Sequence, residues 1–193
     1  MPSPTTDIQP RSHVTVEDIF AMEDDKRYEV IGGEIHMVPP PGSSHQELSA
    51  TLLALLLQHV RAHALGWIVA SPVALILAED DYVEPDIVFV AEARIGIVTT
   101  RGIEGVPDLV VEIQSKSPAS RRRDQIAKYA LYERHGIPHY WIVDPIDRTL
   151  VAHTLRDGRY VREASLENQD VFRPALFPGL EIPLASIWPR LGG

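Results

Sequence analysis

The chain has 193 residues, 45% of them hydrophobic and 23% charged, with a formal net charge of -9, so one domain with a sizeable core is the expected organisation. It has no cysteine, which excludes disulfides and thiolate metal sites and fits a reducing cytoplasm, and no apolar run approaches the ~18–20 residues that a membrane span requires. The acidic balance argues against indiscriminate binding to nucleic acid through bulk electrostatics, so any phosphate contact must come from a local basic cluster.

The opening stretch, residues 1–14, lacks the apolar centre of a secretion signal and reads as a flexible arm, leaving 15–193 as a single domain. Thr15 to Met22 reads as a short helix with Thr15 as N-cap and Asp18 at N3. RYEVIGGEIHMV then predicts a hairpin around Gly32-Gly33, with Glu29 and Glu34 as exposed hairpin carboxylates. Ser44 to Leu65 is the strongest helix signal. Ser44 and Glu47 have capping-box spacing, Leu48, Leu52, Leu55, Leu56 and Val60 form an apolar face, and Gly66 closes the helix. His45 and Glu47 sit in its first turn, either as a surface and a capping residue or at the edge of a cleft.

WIVASPVALIL and YVEPDIVFV predict two strands around the turn Glu79-Asp80-Asp81. Pro85 marks a strand start, an edge or a bulge, because it has no N–H for the ladder. Asp86 follows it and leads into the apolar run Ile87–Val90. Residues 91–106 read as a connection with one turn of helix.

Pro107 to Pro145 is the stretch around which the rest is arranged, and it reads as strand, helix, strand. Along Asp108–Ser115, alternation puts Glu112 and Gln114 on one face and Leu109, Val111 and Ile113 on the other. A carboxylate in so apolar a run is costly to bury unless a charged or hydrogen-bonding group meets it. RRRDQIAKYALYERH predicts a helix, N-capped by Ser117 or Ser120 and closed at Gly136, with Asp124, Lys128 and Tyr132 on one face and Ile126, Ala130 and Tyr129 available to pack inward. His139 to Asp144 is the next strand, so the unit predicts a right-handed βαβ crossover. Lys116, Arg121, Arg122 and Arg123 form the dense basic cluster at the helix start. It is either a solvated helix end or a surface for an anionic partner, which would offset the unfavourable placing of cations at a helix N-terminus. Beyond Asp144, strands flanking Asp157-Gly158 extend the sheet, and the Pro-rich C-terminal segment is expected to pack Phe177, Leu180, Ile182 and Trp188 over the core.

Two acids on separate apolar strands, followed by a lysine on the next helix, suit a Mg²⁺ or Mn²⁺ site for phosphodiester hydrolysis. Such ions take oxygen ligands, here Asp86, Glu112 and the backbone carbonyl of Ile113, with water and phosphate completing the set. Asp108 is four residues before Glu112, roughly 13 Å away at ~3.3 Å per residue, so it cannot share the ion. Asp86 can, if its strand pairs with that of Glu112.

Pro85-Asp86, PDLVVEIQS, RRRDxxxKxxxY and GIPHYWIVDP together resemble the Uma family of restriction endonucleases, within the PD-(D/E)xK nuclease superfamily. The resemblance runs from about Tyr28 to Tyr160. It implies an α/β (α+β) restriction-endonuclease-like core, a mixed central sheet flanked by helices with an N-terminal hairpin and a C-terminal antiparallel extension, in which Asp86 and Glu112 bind the metal. The superfamily pattern has Lys two residues after the second acid, where this chain has Gln114, which cannot supply positive charge. Lys128 resembles the relocated lysine of variants of this fold, and His45 resembles a histidine that opens the first long helix in such proteins.

These features predict a metal-dependent DNA endonuclease, with RNA as a possible alternative substrate and a symmetric homodimer as the means of cutting two strands. A non-catalytic or regulatory module on the same fold, and a hydrolase of another phosphodiester, are the competing readings. Gln114 and the acidic net charge favour the first of these.

Overall fold

The computed structural model describes residues 13–114 and 118–190, with the side chains of 118–124 outside the description. The expected arm therefore lies almost wholly outside the described residues, as do Lys116, the cap candidate Ser117 and the side chains of Arg121, Arg122, Arg123 and Asp124, while the other cap candidate, Ser120, falls inside the helix that begins at Pro118 and so is not its N-cap.

Helix α1 (Val16–Phe20) opens on a capping box, with Thr15 and Asp18 exchanging hydrogen bonds. Strands β1 (Arg27–Ile31) and β2 (Glu34–Val38) pair antiparallel around Gly32-Gly33. Helix α2 (Ser43–Ala62) buries Leu48, Leu52, Leu56 and Val60 completely. Its cap is not the one expected: Gly42 is the N-cap with no side-chain bond, because the chain enters the helix two residues before the expected cap and Ser44 falls inside the first turn. Glu47 instead accepts the Arg190 N–H at 3.2 Å. Nor does Gly66 close the helix. It begins β3 (Gly66–Ala70) at φ +145°, where an added Cβ would lie 2.2 Å from the Val90 carbonyl oxygen. Close backbone approach, and not helix termination, is what requires glycine there.

The two strands expected between Trp67 and Val90 are four. β3 and β4 (Leu75–Ala78) are separated by Pro72, and β5 (Asp81–Val83) and β6 (Ile87–Ala91) by Pro85. A residue with no N–H cannot carry the ladder onward, and at each break the chain moves from one sheet to another. After a 3-10 turn at Glu92–Ile97 and the short β7 (Ile103–Glu104), the chain enters β8 (Leu109–Ile113), α3 (Pro118–Arg134) and β9 (His139–Asp144). β8 and β9 are parallel, as the crossover requires. Helix α3 closes as expected: Gly136 adopts φ +75°, and the N–H groups of Ile137 and Gly136 bond to Tyr132 and Glu133. β10 (Thr149–Arg156) and β11 (Arg159–Glu167) form the Asp157-Gly158 hairpin, and β12 (Val171–Phe172) pairs with β13 (Ile182–Pro183).

The larger sheet has the order β11-β10-β9-β8-β6-β3, and a second runs β2-β1-β5-β4-β7. Alternation divides the larger sheet's two faces cleanly. Leu109, Val111, Trp141 and Val143 pack with α2 and with Phe177, Leu180, Ile182 and Trp188 of the C-terminal segment. Val110, Tyr140 and Ile142 pack with Leu131 and Tyr132 of α3. The result is a mixed α+β architecture with helices on either face of a mixed sheet. On α3 the inward residues are Leu131 and Tyr132, with Tyr129 partly buried, whereas Ile126 is 63% exposed and Ala130 is also exposed. The expectation that Ile126 and Ala130 pack inward fails because the face carrying Lys128 and Tyr132 is the one turned to the sheet. Among the described residues no helix is long and apolar enough to cross a membrane.

Candidate active site

The antiparallel register of β6 and β8 matches Ile87 with Val111 and Val88 with Val110. Continued by one residue, it sets Asp86 opposite Glu112. The pairing is held at that end by a side chain: Asp86 Oδ2 accepts the Ile113 N–H at 2.6 Å. In an extended strand the N–H and C=O of one residue point to the same side, so the Ile113 carbonyl also faces β6. Asp86, Glu112 and that carbonyl are thus brought to one place, at the C-terminal end of β8.

Glu112 is 9% exposed and fully engaged. Lys128 Nζ lies 3.1 Å from its Oε1 and 3.2 Å from its Oε2, and the Tyr132 hydroxyl donates to Oε1 at 2.6 Å. Four residues apart on α3, Lys128 and Tyr132 point the same way. Burial pushes the Glu112 carboxyl up to about 7, the nearby charges of Asp86 and Glu29 add to this, and Lys128 and the Tyr132 hydrogen bond oppose it. For Lys128, burial disfavours the ammonium, but the carboxylates of Glu112 and Glu29 outweigh it and keep the group protonated.

His45, in the first turn of α2, places Nε2 3.1 Å from Asp86 Oδ1. Burial disfavours its charged form, yet the Asp86 carboxylate overrides this and raises its pKa. Its other ring nitrogen, Nδ1, is buried with no hydrogen-bond partner among the described residues. Gln114 stands just past the end of β8, half-buried, with its N–H on the Val143 carbonyl at 2.8 Å. Glu47 takes no part, being turned to Arg190. Asp108 is held at the other end of β8 by the Ala91 N–H at 2.7 Å and by Arg94 at 2.6 Å. Lys116 and the side chains of Arg121, Arg122 and Arg123 lie outside the described residues.

One residue assigned to solvent is inside. Glu29, expected as an exposed hairpin carboxylate, is 5% exposed and places Oε1 2.9 Å from Lys128 Nζ and 3.0 Å from the Glu84 N–H. This face of the hairpin is turned to α3 and to the Glu84 backbone, which the local turn pattern did not reveal. The available signal was the one used for Glu112, an acid in the middle of a β-prone run.

The donor chemistry suits a hard divalent cation. It comprises two carboxylates and a carbonyl oxygen, with the two acids close enough for the Asp86 charge to raise the Glu112 pKa. Among the described residues no three His, Cys, Asp or Glu side chains already converge as a metal centre. A small cation that keeps several waters requires only one or two carboxylates.

Comparison with known proteins bears on the family and the fold. The model of the Uma2 family, described as "Putative restriction endonuclease", matches residues 16–185. Among solved structures, "a putative nuclease belonging to DUF820" from Anabaena variabilis ATCC 29413 superposes with a TM-score of 0.72 over 91% of this chain and 97% of its own, at 18% identity. At that identity the likeness establishes a shared fold. No curated protein sequence matches.

Proposed function

The chain belongs to the Uma2 family of restriction-endonuclease-like proteins, and from that premise we propose that it is a divalent-cation-dependent endonuclease that hydrolyses DNA phosphodiester bonds. The observation that carries the reading is the meeting of Asp86, Glu112 and Lys128 at the end of one strand, drawn from three separate elements. Asp86, Glu112 and the Ile113 carbonyl would hold Mg²⁺ or Mn²⁺, which supplies positive charge at the phosphate and lowers the pKa of a bound water.

The chain's own residues set the conditions for the reaction. Lys128 presents an ammonium that the carboxylates of Glu112 and Glu29 favour, suited to stabilising charge on a phosphate oxygen as water adds to phosphorus and the bond to the sugar oxygen breaks. Tyr132 fixes the orientation of Glu112 through its short hydrogen bond. His45 holds Asp86 from the α2 side. Gln114 can hydrogen-bond water or phosphate but adds no charge, so among the described residues it is Lys128 that supplies the cation beside Glu112. Lys116, Arg121, Arg122 and Arg123 are proposed to contact the DNA backbone, a symmetric homodimer to cut both strands, and the cytoplasm to be the compartment.

The competing reading, a non-catalytic binding module, draws on Gln114 and on a Glu112 whose two oxygens already accept from Lys128 and Tyr132. Supercoiled plasmid incubated with Mg²⁺ separates the two. The endonuclease reading expects nicking that disappears with a chelator and in both Asp86→Ala and Glu112→Ala. Plasmid binding without nicking under any divalent ion supports the module instead. The steepness with which DNA binding weakens in salt, set against binding of a single nucleotide, tests the substrate class.

A further inference from the structure

Glu29 occupies a place where an ordinary hairpin carboxylate has no reason to be. Only 5% of its surface is exposed, and an ionised carboxylate in such surroundings requires charged or strongly donating partners. Among the described residues two are present, both on Oε1: Lys128 Nζ at 2.9 Å and the Glu84 N–H at 3.0 Å. The second partner is itself braced. The Glu84 carboxylate accepts from Arg27 at 2.7 Å and from the Tyr82 hydroxyl at 2.8 Å. Glu84 is also two residues before Asp86, so one short segment supplies both the N–H that anchors Glu29 and the acid proposed to bind the cation.

The Lys128 ammonium has three N–H bonds to give, and three carboxylate oxygens receive them: one of Glu29 and two of Glu112. The lysine is thereby divided between an acid at the proposed cation site and an acid of the other sheet. That division matters once Glu112 is required by a cation, because the cation would draw on the same oxygens that Lys128 occupies. With Glu112 as its sole anionic partner, the ammonium would either compete for those oxygens or be left buried and unpaired, and both are strongly unfavourable.

We infer that Glu29 is a positioning residue that anchors the Lys128 ammonium independently of Glu112, freeing Glu112 for the cation while the lysine stays beside the phosphate. The inference rests on the endonuclease reading and adds to it a residue from the N-terminal hairpin. Glu29 acts through Lys128 and does not touch the reacting atoms.

A double-mutant cycle tests it, using Glu29→Gln, Lys128→Gln and the pair, with Mg²⁺ affinity from calorimetry and kcat and KM from plasmid nicking. In Glu29→Gln, kcat falls about tenfold to a hundredfold while KM for DNA stays within about twofold. Mg²⁺ binding weakens about tenfold, because the ammonium now presses on Glu112 alone. In the Lys128→Gln background, adding Glu29→Gln produces no further loss in kcat. Wild-type kcat and Mg²⁺ affinity in Glu29→Gln, or losses that multiply in the pair, would overturn the assignment. Should Glu29→Gln fail to fold, Glu29→Asp keeps the charge but shortens the reach, and the same criteria apply with a smaller expected loss. A wild-type protein that neither binds Mg²⁺ nor nicks DNA rejects the endonuclease reading itself, and this inference with it. An active wild type with an unaffected Glu29→Gln rejects this inference alone.

Discussion

The carboxylate of Asp86 accepts the backbone N–H of Ile113 at 2.6 Å, closing the β6–β8 ladder with a side chain at the point where Pro85 has interrupted the backbone pairing. This one bond sets Asp86 beside Glu112 and turns the Ile113 carbonyl toward the same side. Asp86 still gives its backbone carbonyl to the Ser71 N–H at 2.9 Å on the β3 side, while Pro85, which has no N–H, leaves the β8 side of the ladder to the Asp86 carboxylate.

The pH dependence follows from Glu112. Its carboxyl is raised from 4.5 to about 7 in the folded protein, so between those values the native state holds a proton that the unfolded chain has lost. This group's contribution to stability accordingly decreases as pH rises through that window. Cation binding moves the other way, because it requires the ionised form. Mg²⁺ affinity measured by calorimetry is expected to climb toward about tenfold per pH unit on the acid side of about pH 7 and to level off above it. An affinity that is flat from about pH 5 to pH 8 would contradict the role of Glu112.

Tyr132→Phe removes the hydroxyl that donates to Glu112 Oε1 and that helps hold the carboxyl down. The Glu112 pKa then rises further, so the acid limb of both Mg²⁺ binding and nicking shifts to higher pH. At alkaline pH the variant approaches wild type. A uniform loss at every pH, with the midpoint unmoved, would mean that the hydroxyl does not act through Glu112.

Lys128→Gln is expected to lower kcat on the order of a hundredfold or more, the range associated with a charged group stabilising a transition state. Gln114 shares the strand face of Glu112, two residues away, so a lysine there points into the same site. In the Lys128→Gln background, Gln114→Lys should recover part of the lost nicking rate. Failure of the pair to improve on Lys128→Gln would show that the two positions are not equivalent for the cationic role.

Phe177 is 1% exposed and packs edge-on against Phe89 and Trp141. Truncating it to alanine should cost about 3–5 kcal/mol of unfolding free energy. Chemical denaturation measures this directly. A cost below about 1 kcal/mol would mean that the C-terminal segment is an appendage and not part of the core.

Local patterns carried much of the fold. The βαβ crossover, the hairpin turns at Gly32-Gly33 and Asp157-Gly158, the α1 capping box and the burial of Phe177, Leu180, Ile182 and Trp188 were all legible because propensity, turn chemistry and hydrophobic spacing agree there. What local pattern could not supply was the meeting of the two sheets. Pro72 and Pro85 signalled interruptions, but only tertiary packing turns an interruption into a change of sheet. Glu29 was misplaced for the same reason, since its partner Lys128 is distant in sequence and its hairpin looks like any solvent-facing turn. Ser44 and Glu47 mimicked a capping box because the spacing is common, while the chain turned into the helix at Gly42. The positions of Asp86, Glu112 and Lys128 were easier to infer, because strand alternation and helical period determine where such side chains point.

The central claim is that Asp86 and Glu112 hold a divalent cation with which the protein cleaves DNA. The most direct measurement titrates Mg²⁺ or Mn²⁺ into wild type and Glu112→Ala by calorimetry, with plasmid nicking assayed on the same samples. The account predicts saturable cation binding and nicking in the wild type, with both lost in Glu112→Ala. Cation binding and nicking that persist unchanged in Glu112→Ala, or a wild type that shows neither, would contradict it.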